Sequence, residues 1–305
     1  MNLHSFAVLG LFVALLACQG QKSTSSAQQP KDSVRAFVWP EIPAIITTPE
    51  QKVAYVLDNY WQNFDFADTA YVHHPEITEQ AWVDYLSILP QVPVERAQKL
   101  LQQTFERASA DKKVYIYFTD LADKYLYDPN SPFRNEDYYI AVLRQMIESP
   151  LLNKYEKERP NDRLRIALLN RVGTPATDFG YTLANGRKGT LYEIKSPYTL
   201  IFFNNPGCHA CLETINALKR SIPILQSVLN KKLTILAVYP DNDLHEWESH
   251  QKDIPAEWIN AYNQTLQETT IYDLKAIPCL YLLDANKRVL LKDTGVQAVE
   301  ALISR

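Results

Sequence analysis

The hydrophobic period of this chain changes once, near Gly173-Thr174-Pro175, and that change limits what each half can become. Before it, apolar side chains recur at helical spacing. Val53, Leu57, Tyr60 and Phe64 share one face, and Trp82, Tyr85, Leu86 and Leu89 share another. Val114, Phe118, Leu121 and Tyr125 repeat the stripe, as do Tyr139, Val142, Leu143 and Met146. Thr48-Pro49-Glu50-Gln51 reads as a helix start, with Thr48 as N-cap, Pro49 at the first helical position and Gln51 placed to complete a capping box. Residues 47–170 are therefore expected to form an all-helical domain whose aromatic stripes are its core.

After the change, short β-rich runs alternate with helical ones. Strands are expected at Leu200–Phe203, Leu233–Tyr239, Leu280–Leu283 and Val289–Leu291, and Asn185-Gly186 reads as the turn of an initial hairpin. Helices are expected after 208, around 245–268, and from 296 to the end. Residues 171–305 should thus be an α/β layer structure with a small central sheet, following the all-α domain. A chain of 305 residues, 46% of them hydrophobic and 22% charged, is long enough and apolar enough for two such cores. Its net charge of −4 and lack of a Lys/Arg run argue against nucleic acid as a partner.

The N-terminus is of another kind. Ser5 to Ala17 is an apolar run too short for a membrane span, which needs roughly 20 residues. It ends in Leu15-Leu16-Ala17-Cys18, which suits a signal peptide over 1–17. The cysteine after a small residue resembles a bacterial lipobox, although Asn2 to His4 contain no Lys or Arg. The resemblance implies that Cys18 becomes the lipidated first residue. Gln19 in place of Asp implies an outer-membrane lipoprotein facing the periplasm. Residues 18–46 are then expected to be a flexible tether, most clearly over the polar stretch Gln19–Ser33.

The chemistry-bearing motif is Cys208-His209-Ala210-Cys211, directly after an apolar strand. A cysteine at a helix start faces unpaired N–H groups and the positive end of the helix dipole, which favours its thiolate. Cys211 lies one turn further along the same face, within disulfide reach. On this reading Cys208 attacks and Cys211 resolves the mixed disulfide. A structural zinc site needs about four ligands, and no second pair of this kind is present. A permanent structural disulfide is the remaining alternative. His73, His74, His245 and His250 read as surface residues, and Asp241 and Asp243 as loop or cap residues.

These residues resemble the thioredoxin-fold TlpA/ResA-like thiol-disulfide oxidoreductases. The resemblance rests on GTPATDFGY before the hairpin, LIFF leading into CHAC, LTILAVYPD as the next strand and IPCLYLLDANKRVLLKD as the closing hairpin. The whole chain also resembles Bacteroidota lipoproteins that carry an uncharacterised helical domain before a thioredoxin-like one. The resemblance implies a cis Pro278, after Ile277, packed beside the cysteine pair. It further implies reduction of protein disulfides without a bound cofactor, sustained by an electron donor that the sequence does not name. Ala210 stands where oxidants of this fold often have His, which also favours reduction.

Two positions depart from the thioredoxin pattern. Phe202 occupies the place of a buried Asp that handles the second cysteine's proton, and Gly207 replaces a Trp. His209, Ile277 and Cys279 are candidates for modulating the pair. Cys279 is either an inert buried thiol or a third redox thiol. The competing functional class is a non-catalytic partner-binding lipoprotein that uses the fold as a scaffold. Anchoring is separately testable: Cys18→Ser should move the intact chain from the membrane to the soluble fraction, whereas retention in membranes would place the anchor elsewhere.

Overall fold

The computed structural model describes residues 36–304. The expected signal segment, Cys18 and the first part of the tether lie outside the described residues. Six helices come first: α1 (Pro49–Asn59), α2 (Pro75–Ile88), α3 (Val94–Ala108), α4 (Lys112–Ala122), α5 (Glu136–Glu148) and α6 (Glu158–Ala167). Several begin where the sequence supplies a side-chain acceptor for otherwise unpaired N–H groups. The Thr48 hydroxyl accepts from Gln51 N at 3.3 Å, Asp111 from Lys113 N at 2.7 Å, and Asn135 from Tyr138 N at 3.1 Å.

The four aromatic stripes meet in one core. Phe118 is fully buried and meets Trp61 and Trp82 edge-on, with ring centroids 5.5 and 5.7 Å away. That geometry sets positive ring edges against negative faces. Emptying such a position costs about 3–5 kcal/mol. The core also takes in residues assigned to the tether. The rings of Phe37 and Trp39 lie 4.9 and 5.2 Å from Tyr60, so ordered packing begins well before residue 47. An irregular strap has no helical period, which is why the sequence pattern passed over it.

The second half contains β1 (Gly180–Leu183), β2 (Lys188–Thr190), β3 (Tyr198–Phe203), α7 (His209–Arg220), α8 (Ile222–Leu229) and β4 (Leu233–Tyr239). It continues through α9 (Leu244–Ser249), β5 (Ile259–Tyr262), α10 (Leu266–Thr269), β6 (Cys279–Leu283), β7 (Val289–Lys292) and α11 (Val296–Ile303). The seven strands form one sheet in the order β2-β1-β5-β4-β3-β6-β7. The pairs β3–β4 and β4–β5 are parallel, while β6 runs antiparallel to β3. The helix expected over 245–268 is instead α9, β5 and α10. Pro255 lacks an N–H and interrupts the helical ladder, and Ile259–Tyr262 pair with both β4 and β1.

Both faces of the central strands are buried, and side-chain alternation divides them between two clusters. Leu200, Phe202, Leu280 and Leu282 pack with Ile215 and Leu218 of α7 and Val299 of α11. Ile201, Phe203, Cys279 and Tyr281 face the opposite way, against Phe179, Leu266 and Tyr272. Among the described residues no helix is long and apolar enough to cross a membrane.

The helical core and the two sheet cores are separate clusters, and polar contacts join the halves. Arg134 pairs with Asp293, Arg171 with Asp137, and Lys292 with Glu136 at 2.8 Å. Asn170 Nδ2 donates to Ile271 O at 2.7 Å, and Lys275 Nζ lies over the Tyr127 ring at 4.4 Å. Tyr127 sits in a π-helical turn, Asp123–Tyr127, that continues α4. The helical half thus holds the segment that leads into β6.

Candidate thiol site

Strand β3 delivers the chain to the site. After Phe203 the backbone turns through Asn204–Gly207. Gly207 has φ +69°, a left-handed conformation that disfavours any residue with a Cβ. Cys208 is the N-cap of α7, one position earlier than a first-turn residue. Its Sγ accepts from Cys211 N at 3.4 Å. The sulfur therefore occupies the acceptor position that Ser or Asp fills at other helix starts. Cys208 remains partly exposed, whereas Cys211 is only 1% exposed.

Cys211 is held from behind, where Asn205 N donates to its Sγ at 3.5 Å. Burial pushes the Cys211 thiol up to about 12, the Asn205 N–H opposes that rise, and the neighbouring Cys208 adds to it. Position 202 carries no acid: Phe202 is fully buried, and its ring meets Trp258 edge-on at 6.3 Å. His209 is solvated, with its side chain 86% exposed and Nδ1 3.7 Å from Glu213.

The antiparallel register pairs Phe203 with Cys279, so the start of β6 lies at the sheet end where β3 releases the chain toward Cys208. The Ile277–Pro278 peptide bond is cis. Ile277 and Cys208 both pack against the cluster on the α7 side of the sheet. Cys279 belongs to the opposite face. Its Sγ lies 3.5 Å from Asp293 Oδ1, and burial together with the Asp273 charge pushes its thiol up to about 12. Cys211 belongs to the α7 face, so the sheet separates the Cys279 thiol from the pair.

The structure also brings in a residue that the sequence left among surface histidines. A narrow hollow behind Cys211 is lined by Asn205, Gly207, Trp247, His250 and Asp253, among others. His245 remains exposed on α9, and Asp243 caps that helix by accepting from Glu246 N at 3.1 Å. No local spacing pointed to His250, because its contact with the site depends on how α9 packs beside the Gly207 turn. Among the described residues no group of three or more His, Cys, Asp or Glu side chains is arranged to hold a metal ion.

These thiol environments set an order of alkylation. A thiol near 12 is thiolate in only about one molecule in 10⁴ at pH ~8, and the thiolate is the reactive form. Brief iodoacetamide treatment of the reduced native protein should label Cys208 and spare Cys211 and Cys279. Labelling of the two buried thiols should rise with pH, since raised values move ionisation upward. Peptide mass spectrometry showing Cys279 labelled as fast as Cys208 would contradict this burial.

Comparison with known proteins follows the division into halves. A family model described as a domain of unknown function (DUF5106) matches residues 17–170. A thioredoxin-like protein from Bacteroides caccae is 52% identical, covers 89% of this chain and 99% of its own, and superposes with a TM-score of 0.85. The C-terminal domain of an uncharacterised protein from Bacteroides fragilis is 51% identical, covering 45% of this chain and 99% of its own with a TM-score of 0.44. No curated protein matches the chain. With half of the sequence matched by the family model and nearly all of it by the B. caccae protein, the chain belongs to the DUF5106 family, its helical domain followed by a thioredoxin-like one.

Proposed function

We propose that the protein is a thiol–disulfide oxidoreductase that reduces protein disulfides through Cys208 and Cys211. The observation that carries this reading is the unequal placement of the two sulfurs. Cys208 Sγ is partly exposed at the N-terminus of α7 and accepts an N–H bond, while Cys211 is buried directly behind it. A thiolate at Cys208 is accessible to a client, and the next thiol along the helix face is the one positioned to displace that client.

The chemistry balances within the pair and its client. The Cys208 thiolate attacks one sulfur of a client disulfide, forming a Cys208–client bond and releasing the other client sulfur as a thiolate, which takes up a proton. Cys211 then loses its proton and attacks Cys208 Sγ. A Cys208–Cys211 disulfide forms, and the second client sulfur leaves with the electron pair. The client gains two electrons and the protein dithiol loses two, so each cycle needs a dithiol reductant to restore the pair. No bound cofactor takes part.

The finer reading is a TlpA/ResA-like reductase anchored through Cys18 at the outer membrane and facing the periplasm. In that oxidising compartment the donor must supply electrons continuously. Pro278 and Ile277 form the rim against which a client segment lies, and the helical half holds the chain that leads to that rim. The fold alone is equally compatible with a partner-binding scaffold, so the test is chemical. The protein should accelerate dithiothreitol-driven reduction of insulin, and Cys208→Ser should fall to the rate with dithiothreitol alone. Cys211→Ser should accumulate reductant-sensitive mixed disulfides with client proteins, whereas Cys208→Ser should accumulate few. Trapping through Cys208→Ser would reverse the roles, and an inactive wild-type protein would favour the scaffold.

A further inference from the structure

The proton that Cys211 must lose finds no acid or base at position 202 of β3, and His209 and Glu213 of α7 are solvent-exposed. Phe202 is apolar and fully buried, and the buried thiol holds its proton tightly. The hollow behind the sulfur provides another route. It reaches from Cys211 past Asn205 to the segment after α9, and it has room for roughly one water molecule. Asn205 lines it, and its buried Oδ1 has no hydrogen-bond partner among the described residues.

At the far side, His250 is oriented by its other ring nitrogen. Nδ1 lies 2.9 Å from Glu246 O and 2.9 Å from Ser249 Oγ. A carbonyl only accepts, and the Ser249 hydroxyl donates to that same carbonyl at 2.9 Å. The hydrogen therefore sits on Nδ1, which in the neutral ring leaves the lone pair on Nε2. Nε2 faces the Gly207 turn, 3.9 Å from where a Cβ at that position would stand. The charged and titratable groups around this ring are few. Glu246 Oε1 approaches Nδ1 at 3.4 Å from α9, Asp253 lines the hollow from the following turn, and Cys211 faces it from α7.

We propose that His250 Nε2 accepts the proton of Cys211 through a water held by Asn205 Oδ1, and thereby gates the resolving step of exchange. This rests on the oxidoreductase reading above. As Cys211 attacks the Cys208 mixed disulfide, its proton passes through the water to Nε2. The new disulfide closes, and the client sulfur departs as a thiolate. The imidazolium so formed faces Glu246, then returns its proton to the leaving thiolate or to solvent. Imidazole is the side chain most often used for general acid–base transfer, and it can take up a proton at one nitrogen while the other holds its hydrogen bond.

Ellman's reagent separates the two steps. Reduced protein should release a first thionitrobenzoate when Cys208 attacks and a second when Cys211 displaces the mixed disulfide. Stopped-flow absorbance would follow both across about pH 5.5–9. His250→Gln should slow the second release at neutral pH by about tenfold or more and alter its pH profile, leaving the first release unchanged. Added imidazole should restore the second release in His250→Ala, while Asp253→Asn should behave as wild type. An unchanged second phase in His250→Gln, equal slowing of both phases, or the same defect in Asp253→Asn would overturn the proposal. A wild-type protein with no second release would instead refute the exchange reading itself.

Discussion

The pairing of β3 with β6 is the constraint on which the site depends. Strand β3 is hydrogen-bonded to β4 on one side and β6 on the other, with both its faces buried. Because Phe203 and Cys279 are register partners, the end of β3 and the start of β6 coincide. That coincidence places the Cys208 turn and the cis Ile277–Pro278 bond at the same end of the sheet, although they come from distant parts of the sequence. A slip of one residue would exchange the two faces of β6. Cys279 would then point toward the side that holds Cys211.

The surroundings sort the three thiols of the described residues by solvation rather than by sequence context. Cys208 has a half-open position and a backbone donor; Cys211 has a donor but little water; Cys279 is enclosed beneath the seam formed by Arg134, Asp293 and Lys292. A charged sulfur is expensive in an apolar site unless donors compensate it. The same seam ties the helical half to the segment before Pro278, through Lys275 over Tyr127 and Asn170 on Ile271 O. Since the halves have separate apolar cores, their mutual position rests largely on these polar contacts, which salt weakens more than it weakens burial.

Features with a long period or a distinctive local signal were legible in the sequence. The four helical stripes, the long strands β3 and β4, the Asn185-Gly186 turn and the strand-to-helix position of Cys208 all depend on neighbours in the chain. Short or irregular elements were not. Helix α9 and strand β5 contain six and four residues, too few to establish a period against the helical pattern around them. Phe37 and Trp39 reach the helical core through a strap without repeating structure. The face taken by Cys279 depends on a register between distant strands, and the nearness of His250 to Cys211 depends on tertiary packing of α9. Neither can be read from local spacing.

The central claim is that Cys208 and Cys211 form an exchangeable redox pair rather than a staple or an inert remnant. The most direct measurement equilibrates the protein in graded thiol–disulfide buffers, quenches with acid, and maps the Cys208–Cys211 bond by mass spectrometry. The account predicts one reversible two-electron transition between about −120 and −270 mV, the span of thioredoxin-fold oxidants and reductants, with Cys279 reduced throughout. A potential below about −300 mV, as in structural disulfides, or an oxidised form in which Cys279 pairs with either cysteine, would contradict it.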